Sequence, residues 1–285
     1  MGFRLANIDG RAALLDDRDR YHDLESLSGG AIGSDPMTAL ADEAGVRAAT
    51  ERLADAEPTG ELADVVLGAP VPRPRNVFAV GLNYSDHAAE SNLTPPEQPL
   101  VFTKFPSSIC GPATDIELRS EFVDYEVEVI VVIGRGGHDI SEADAWSHVI
   151  GLTMGQDVSD RRMQFASSPP HFDLAKSFDT FGPMGPWLRS LDGFDDPDSL
   201  RLTCSVNGDL RQDGNTGDLI FGVPKLISYL SHITTLSAGD IIWTGTPAGV
   251  GAATGAFLRD GDVVETSVTG LGTMTNRCVR IGDHA

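Results

Sequence analysis

Residues 124–133 read DYEVEVIVVI, and this stretch decides the fold. Its first half alternates acidic with apolar or aromatic residues, and its second half is apolar at every position. Alternation of period two is the mark of a β-strand, with successive side chains on opposite faces. An apolar run with no polar face marks a strand covered on both sides. The segment is therefore expected to be the longest strand of the chain, with its second half deep in the core. Asp124, Glu126 and Glu128 fall on one face, and Tyr125, Val127 and Val129 on the other.

Carboxylates that lead into a buried strand are costly unless they are paired or bound to a cation. Glu126 and Glu128 lie two residues apart on one side, close enough to share an ion. A hard divalent cation such as Mg²⁺ takes oxygen ligands and leaves positions for water or substrate. Asp157, at the end of the apolar strand 149–158 and before the basic turn of residues 159–162, is the candidate for a third ligand. The same pattern also suits an edge strand with acidic residues facing solvent and Asp157 capping a helix. Spacing alone leaves both readings open.

Working outward, residues 1–20 read as a hairpin, FRLANI and AALL joined through Asp9-Gly10. Residues 37–55 read as one helix. The proline-rich GAPVPRPRN that follows, with prolines 70, 72 and 74, suggests a boundary between a small N-terminal α+β module (1–70) and a main domain (71–285). In the main domain, strands are expected at 76–84, 100–105, 149–158, 200–206, 240–244, 262–268 and 274–281. Short helices are expected at 85–91, capped by Ser85, and from a Ser141/Asp144 capping box to His148. A longer helix opens at Pro224. Strands outnumber helices, and regular βα alternation is absent, so the fold class is α+β with a large antiparallel or mixed sheet.

His87 and Glu90 stand three apart and meet on one face of a helical turn. A carboxylate beside an imidazole orients it and raises its basicity, as a general base for water requires; an incidental exposed pair is the alternative. Lys176, one of few lysines, sits in the apolar, glycine-rich LAKSFDTFGPMGPW, where it could neutralise an oxyanion or simply snorkel. GTPAGVGAATG (245–255) lacks the spacing of a dinucleotide loop, although its amides and Thr246 could hold an anion. No GxSxG, phosphate-binding P-loop or HExxH motif is present, and nothing marks a serine nucleophile.

The net charge of −21 disfavours nucleic acid and anionic membranes as partners. An anionic substrate would need a local trap, such as a metal or buried cations. Three scattered cysteines without a CxxC, no signal-peptide core and no apolar run of transmembrane length lead us to expect a cytoplasmic protein.

Seven segments, taken in order, resemble the fumarylacetoacetate hydrolase family: GLNYSDHAAE (81–90), PLVFTKFPSSICGP (99–112), DYEVEVIVVIG (124–134), GLTMGQDVSDR (151–161), AKSFDTFGPMGPW (175–187), VNGDLRQ (206–212) and WTGTPAGVG (243–251). The resemblance implies a mixed β-roll, a homodimer, and Mg²⁺ (or Mn²⁺ or Ca²⁺) on Glu126, Glu128 and Asp157, with Asp124 outside the metal's shell. It implies Lys176 beside the site with Thr180 near it, and His87 and Glu90 as the water-activating pair. Tyr84, Gln156, Arg211, Gln212 and Thr246 would reach the substrate. Gln156 departs from the asparagine common in the family.

The implied activity is hydrolysis of a C–C bond in an acylpyruvate-like 2,4-dioxo acid through a metal-stabilised enolate. A 2-oxo acid decarboxylase, isomerase or hydratase/dehydratase would use the same enolate. A non-catalytic binding protein that kept the fold is a further alternative.

Overall fold

The computed structural model describes residues 2–90 and 94–282. It is the α+β, mixed-sheet fold that the strand pattern predicts. The main sheet runs Gly60–Glu61, Arg20–Asp23, Arg11–Leu15, Arg4–Ile8, Gly182–Arg189, Val149–Gln156, Val127–Ile133, Ile241–Trp243, Val77–Gly81 and Leu100–Thr103. Ile241–Trp243 pairs parallel with Val77–Gly81, and the other neighbours on this path are antiparallel. A second sheet contains Asp209–Asn215, Arg201–Val206, Val263–Val268, Gly272–Arg280 and Ile116–Leu118.

Val127–Ile133 lies inside the main sheet and is buried at every residue. Val127, Val129, Val131 and Ile133 pack in one core with Leu226, Ile227 and Leu230 of the helix Val223–Ile233 and with residues of the second sheet. Ile130 and Val132 point the other way, into a core that includes Leu24, Leu40 and Val46 from the helices near the N-terminus. Cover on both faces is why residues 129–133 of the strand carry no polar side chain. The N-terminal hairpin turns at Asp9-Gly10 as expected and joins the main sheet through Arg4↔Arg189 and Leu5↔Leu188.

Several elements depart from the sequence reading. The helix expected over 37–55 is two, Pro36–Leu40 and Glu43–Thr50. Asp42 leaves the helical region at φ −128°, and its carboxylate accepts the Gly45 N–H at 2.9 Å, so it ends one helix and caps the next. The strand expected over 124–133 is interrupted: Val123–Asp124 pairs with Ser159–Asp160, and the main-sheet strand starts at Val127. Gly272–Arg280, nine residues, is longer. Ser85 is the first residue of its helix, Ser85–Glu90, and the expected extension to Ser91 lies outside the described residues. The Ser141/Asp144 box forms, with Asp144 N–H donating to Ser141 Oγ at 3.2 Å, but it opens only a 3-10 turn, Ala145–His148. No described helix is long and apolar enough to cross a membrane.

Candidate metal centre

Where the acidic strand breaks, side-chain amides replace the sheet's ladder. Gln156 Oε1 accepts the Glu126 N–H at 2.8 Å, and Gln212 Oε1 accepts the Val127 N–H at 3.0 Å. Their amide nitrogens are also used: Gln156 donates to Thr266 Oγ1, and Gln212 to Thr246 Oγ1 and the Pro247 carbonyl. The Asp157 N–H donates to the Glu126 carbonyl at 2.9 Å. These bonds fix the backbone at which three carboxylates converge. Glu126, Glu128 and Asp157 each offer an oxygen within 4.8 Å of the others, and all three are buried.

Cations compensate this cluster unevenly. Lys176 Nζ donates to Glu126 Oε2 at 2.8 Å and to Asp157 Oδ2 at 2.7 Å. Lys104 Nζ donates to Asp157 Oδ1 at 2.7 Å and to the carbonyls of Lys176 and Phe181. Arg161 reaches Glu126 Oε1 at 2.5 Å and Asp124 Oδ2 at 2.8 Å. Among the described residues Glu128 has no ion pair; its Oε2 accepts one backbone bond, from the Gly245 N–H at 2.8 Å.

The electrostatics follow from those contacts. Burial works against charge on Glu126, but Lys176 and Arg161 outweigh it and hold this carboxyl below its usual range. Burial, then the negative charges of Asp157 and Glu126, push Glu128 well above its usual range. Burial likewise opposes the Lys176 ammonium, and Asp157 and Glu126 overcome it and raise Lys176. Lys104 is lowered by burial despite Asp157. The centre is thus short of positive charge at Glu128. Three converging hard oxygens with one carboxylate uncompensated fit a divalent cation.

The centre opens into a cavity of about 610 Å³. Glu126, Glu128, Arg161, Gln164 and Lys176 line its floor, with His87, Glu90 and Thr246 also on the wall. His87 Nδ1 lies 2.7 Å from Glu90 Oε1. Glu90 Oε2 accepts the Gly249 N–H at 2.9 Å, which fixes the carboxylate behind the imidazole. A proton on Nδ1 leaves Nε2 as the basic atom of the ring.

The loop GTPAGVG has a different task from the one its sequence suggested. Its amides and the next one take the protein's own carboxylates: Gly245 holds Glu128, Gly249 holds Glu90, and Gly251 with the adjoining Ala252 holds Asp124. Gly245 (φ +102°) and Gly249 (φ +107°) adopt backbone that favours glycine, and a Cβ on Gly249 would overlap the Arg211 carbonyl oxygen.

The structure therefore brings His87, Glu90, Glu126, Glu128, Lys176 and Thr246 to one cavity, with Asp157 held against Lys176. Of the residues expected to reach a substrate, Tyr84, Gln156, Arg211 and Gln212 are not on its wall. Gln156 and Gln212 are consumed as backbone braces. Tyr84 is fully buried, its hydroxyl without a partner among the described residues; burial, then the Glu128 charge, raise it above the ordinary phenol range. Arg211 lies at the surface near Asp209. The Thr180 hydroxyl accepts the Glu117 N–H at 2.9 Å. Asp124 is engaged by Arg161 and three backbone amides, those of Tyr125, Gly251 and Ala252, apart from the triad.

Sequence reasoning missed Lys104 and the bridging role of Arg161. One signal existed: the chain has three lysines, Lys104, Lys176 and Lys225, against 21 Lys and Arg together. Two of those three are buried at this centre.

Comparison with known proteins finds relatives that match most of the chain. Residues 76–279 match the model of the fumarylacetoacetate hydrolase C-terminal family. The human protein named mitochondrial oxaloacetate tautomerase FAHD2A is 42% identical over 241 residues, covering 83% of this chain and 77% of its own length. A crystal structure of a putative HpcE protein from Mycobacterium smegmatis is 44% identical, with a TM-score of 0.91 over 98% of this chain and all of its own. Maleylpyruvate hydrolase from Sphingobium sp. SYK-6, solved with manganese(II) and pyruvate, is 31% identical, with a TM-score of 0.83 over 98% of this chain and all of its own.

Proposed function

The chain belongs to the fumarylacetoacetate hydrolase family, and from that premise we propose that it is a divalent-metal enzyme that moves a proton at the carbon beside the keto group of a 2-oxo acid. The observation that carries this reading is the His87–Glu90 pair facing the same cavity as the carboxylate triad. Glu126, Glu128 and Asp157 would hold Mg²⁺, Mn²⁺ or Ca²⁺. Such an ion supplies Lewis acidity at the 2-oxo group and offsets the charge of the enolate.

The chain's own residues do the rest. Glu90, fixed by Gly249, keeps His87 in the tautomer whose Nε2 accepts a proton, and stabilises the imidazolium that results. Lys176 holds Glu126 and Asp157 and places a positive charge beside the site of enolate formation. Keto–enol conversion is complete when the His87 imidazolium returns its proton to the enolate oxygen, and the named activity of the 42% identical relatives supports that reaction.

Hydrolysis of a C–C bond in a 2,4-dioxo acid is the second reading, with His87 Nε2 taking the proton from water. The maleylpyruvate hydrolase neighbour favours it. A homodimer and a cytoplasmic location complete the proposal; sizing by light scattering checks the former, and cell fractionation the latter.

The test uses chelator-stripped protein, assayed for loss of the oxaloacetate enol and for cleavage of acetylpyruvate, before and after Mg²⁺ or Mn²⁺ is restored. Metal-dependent turnover of either is expected. Full activity without metal overturns the mechanism, and metal and oxo-acid binding without turnover of any 2-oxo acid marks a binding protein instead.

A further inference from the structure

We propose that Asp124 is a positioning residue for both parts of the site, setting the charge on Glu126 through Arg161 and the place of His87 through the loop that carries Gly249. The inference rests on the reading of the cavity as a metal-dependent 2-oxo acid site. It gives a task to a carboxylate that stands outside the triad.

Asp124 is fully buried and is not on the cavity wall. A carboxylate so placed is costly unless its oxygens are met by donors. Oδ1 accepts the N–H groups of Tyr125 at 2.9 Å and Gly251 at 2.6 Å. Oδ2 accepts Arg161 Nε and the Ala252 N–H, each at 2.8 Å. The break in the acidic strand allows this, because Val123–Asp124 leaves the main sheet to pair with Ser159–Asp160, next to Arg161. On the metal side, Arg161 divides one positive charge: Nε goes to Asp124, Nη2 to Glu126 Oε1 at 2.5 Å, and Nη1 to Gln164 Oε1 at 2.9 Å. The Asp124 charge offsets the guanidinium, so Glu126 keeps negative charge for a cation. Without it, Arg161 would turn wholly to Glu126 and compete with the metal.

On the base side, Asp124 pins the loop at Gly251 and Ala252, two residues beyond Gly249, whose N–H holds Glu90 Oε2 at 2.9 Å. The next residue grips the same loop: the Tyr125 hydroxyl donates to the Gly249 carbonyl at 3.2 Å. The approach leaves no room for a side chain, since a Cβ on Gly251 would lie 2.5 Å from Asp124 Oδ1. Val250, Ala252 and Ala253 of this loop also line the cavity. One buried carboxylate therefore sets where Glu90 stands behind the imidazole. A shift of about 1 Å in a catalytic group can cost about 10²-fold in rate.

The experiment joins a double-mutant cycle to a metal titration. Asp124→Asn keeps the shape and removes the charge. At saturating Mn²⁺ it should lower kcat by about 10–100-fold, for whichever of oxaloacetate tautomerisation and acetylpyruvate cleavage the wild type performs. KM should stay within about twofold, because the side chain does not line the cavity. In a Glu90→Gln background the same substitution should cost severalfold less, since residues of one network are not additive. Calorimetry should show Mn²⁺ bound severalfold more weakly by Asp124→Asn. Gly251→Ala, which pushes on the loop and leaves every charge in place, should also lower kcat non-additively with Glu90→Gln, and it carries the test if Asp124→Asn does not fold. Equal losses of kcat with and without Glu90→Gln overturn the link to the base, and unchanged Mn²⁺ affinity overturns the link to Glu126. If wild-type protein binds Mn²⁺ and turns over neither compound, the functional reading fails and the link to the base with it, while the Mn²⁺ titration still decides the link to Glu126.

Discussion

Glu90 Oε1 lies 2.7 Å from His87 Nδ1, and the second oxygen of the same carboxylate is held by the Gly249 N–H at 2.9 Å. One carboxylate thus joins the base to a loop 159 residues away in the chain. His87→Ala should lower kcat by about 10²–10⁴-fold, the usual worth of a positioned base. Glu90→Gln, which keeps the shape and loses the charge, should cost less. Neither should change Mn²⁺ affinity measured by calorimetry; a parallel loss of metal binding would show that the pair supports the centre rather than the chemistry.

Gly249→Ala forces a side chain onto backbone at φ +107° and against the Arg211 carbonyl. The expected cost is about 1–3 kcal/mol of stability, read from urea unfolding. Because the loop moves, kcat should fall as well, towards the value of Glu90→Gln. An unchanged kcat would separate the loop from the imidazole.

Glu126 and Glu128 stand two residues apart on either side of the strand's first residue, Val127, and should respond oppositely to loss of charge. Glu126→Gln removes a partner of both Lys176 and Arg161 and should destabilise the metal-free protein by about 3–5 kcal/mol. Glu128→Gln relieves repulsion from Asp157 and Glu126 and should leave the metal-free protein as stable or more so. Wild-type protein should gain about 2.7 kcal/mol when the metal is at one hundred times its dissociation constant, and Glu128→Gln should lose most of that gain. Thermal unfolding with and without Mn²⁺ measures all three; equal destabilisation by both variants would contradict the charge assignment.

The raised Glu128 carboxyl sets the pH response of the centre. The folded state holds a proton there more tightly than the unfolded chain does. In metal-free protein this contribution to stability is present below the ordinary carboxylate range and is lost as pH rises through the raised value. Metal binding displaces the same proton, so affinity should climb over that window and level off above it. Isothermal titrations across that range check the sign; affinity independent of pH would place the proton elsewhere.

The three cysteines are free, and burial pushes Cys110 up to about 11 and Cys204 and Cys278 up to about 12. Thiolate being the reactive form, native protein at pH 8 should react with an aromatic disulfide reagent far more slowly than denatured protein, which should release all three. Rapid labelling of one thiol in the folded state would reveal local opening at that strand.

What could be read from the sequence depended on the range of the interaction. The period-two alternation at 124–128 placed Glu126 and Glu128 on one side, because side-chain direction along a strand is set by the backbone alone. The apolar run that follows announced a strand covered on both faces, and Asp9-Gly10 and Pro224 marked a turn and a helix start by their local conformational preferences. His87 and Glu90 met for the same reason, being three apart in one helical turn.

Side-chain amides carry no such local signature. Gln156 and Gln212 could as well have faced a substrate, and only their approach to the broken ladder at Glu126 and Val127 shows them as braces. Asp42 split a helix because its carboxylate found Gly45 N–H, a choice that periodicity does not encode.

The sequence by itself determined that this chain folds around a buried acidic strand, and which two glutamates that strand would present together. Tertiary structure decided how the charge is balanced: Lys104 reaches Asp157 across 53 residues, Arg161 joins Asp124 to Glu126, and Glu128 is left to a single backbone amide. Strand periodicity is a property of neighbouring residues, whereas the compensation of a buried carboxylate depends on whichever cations the packed core brings within about 3 Å of it.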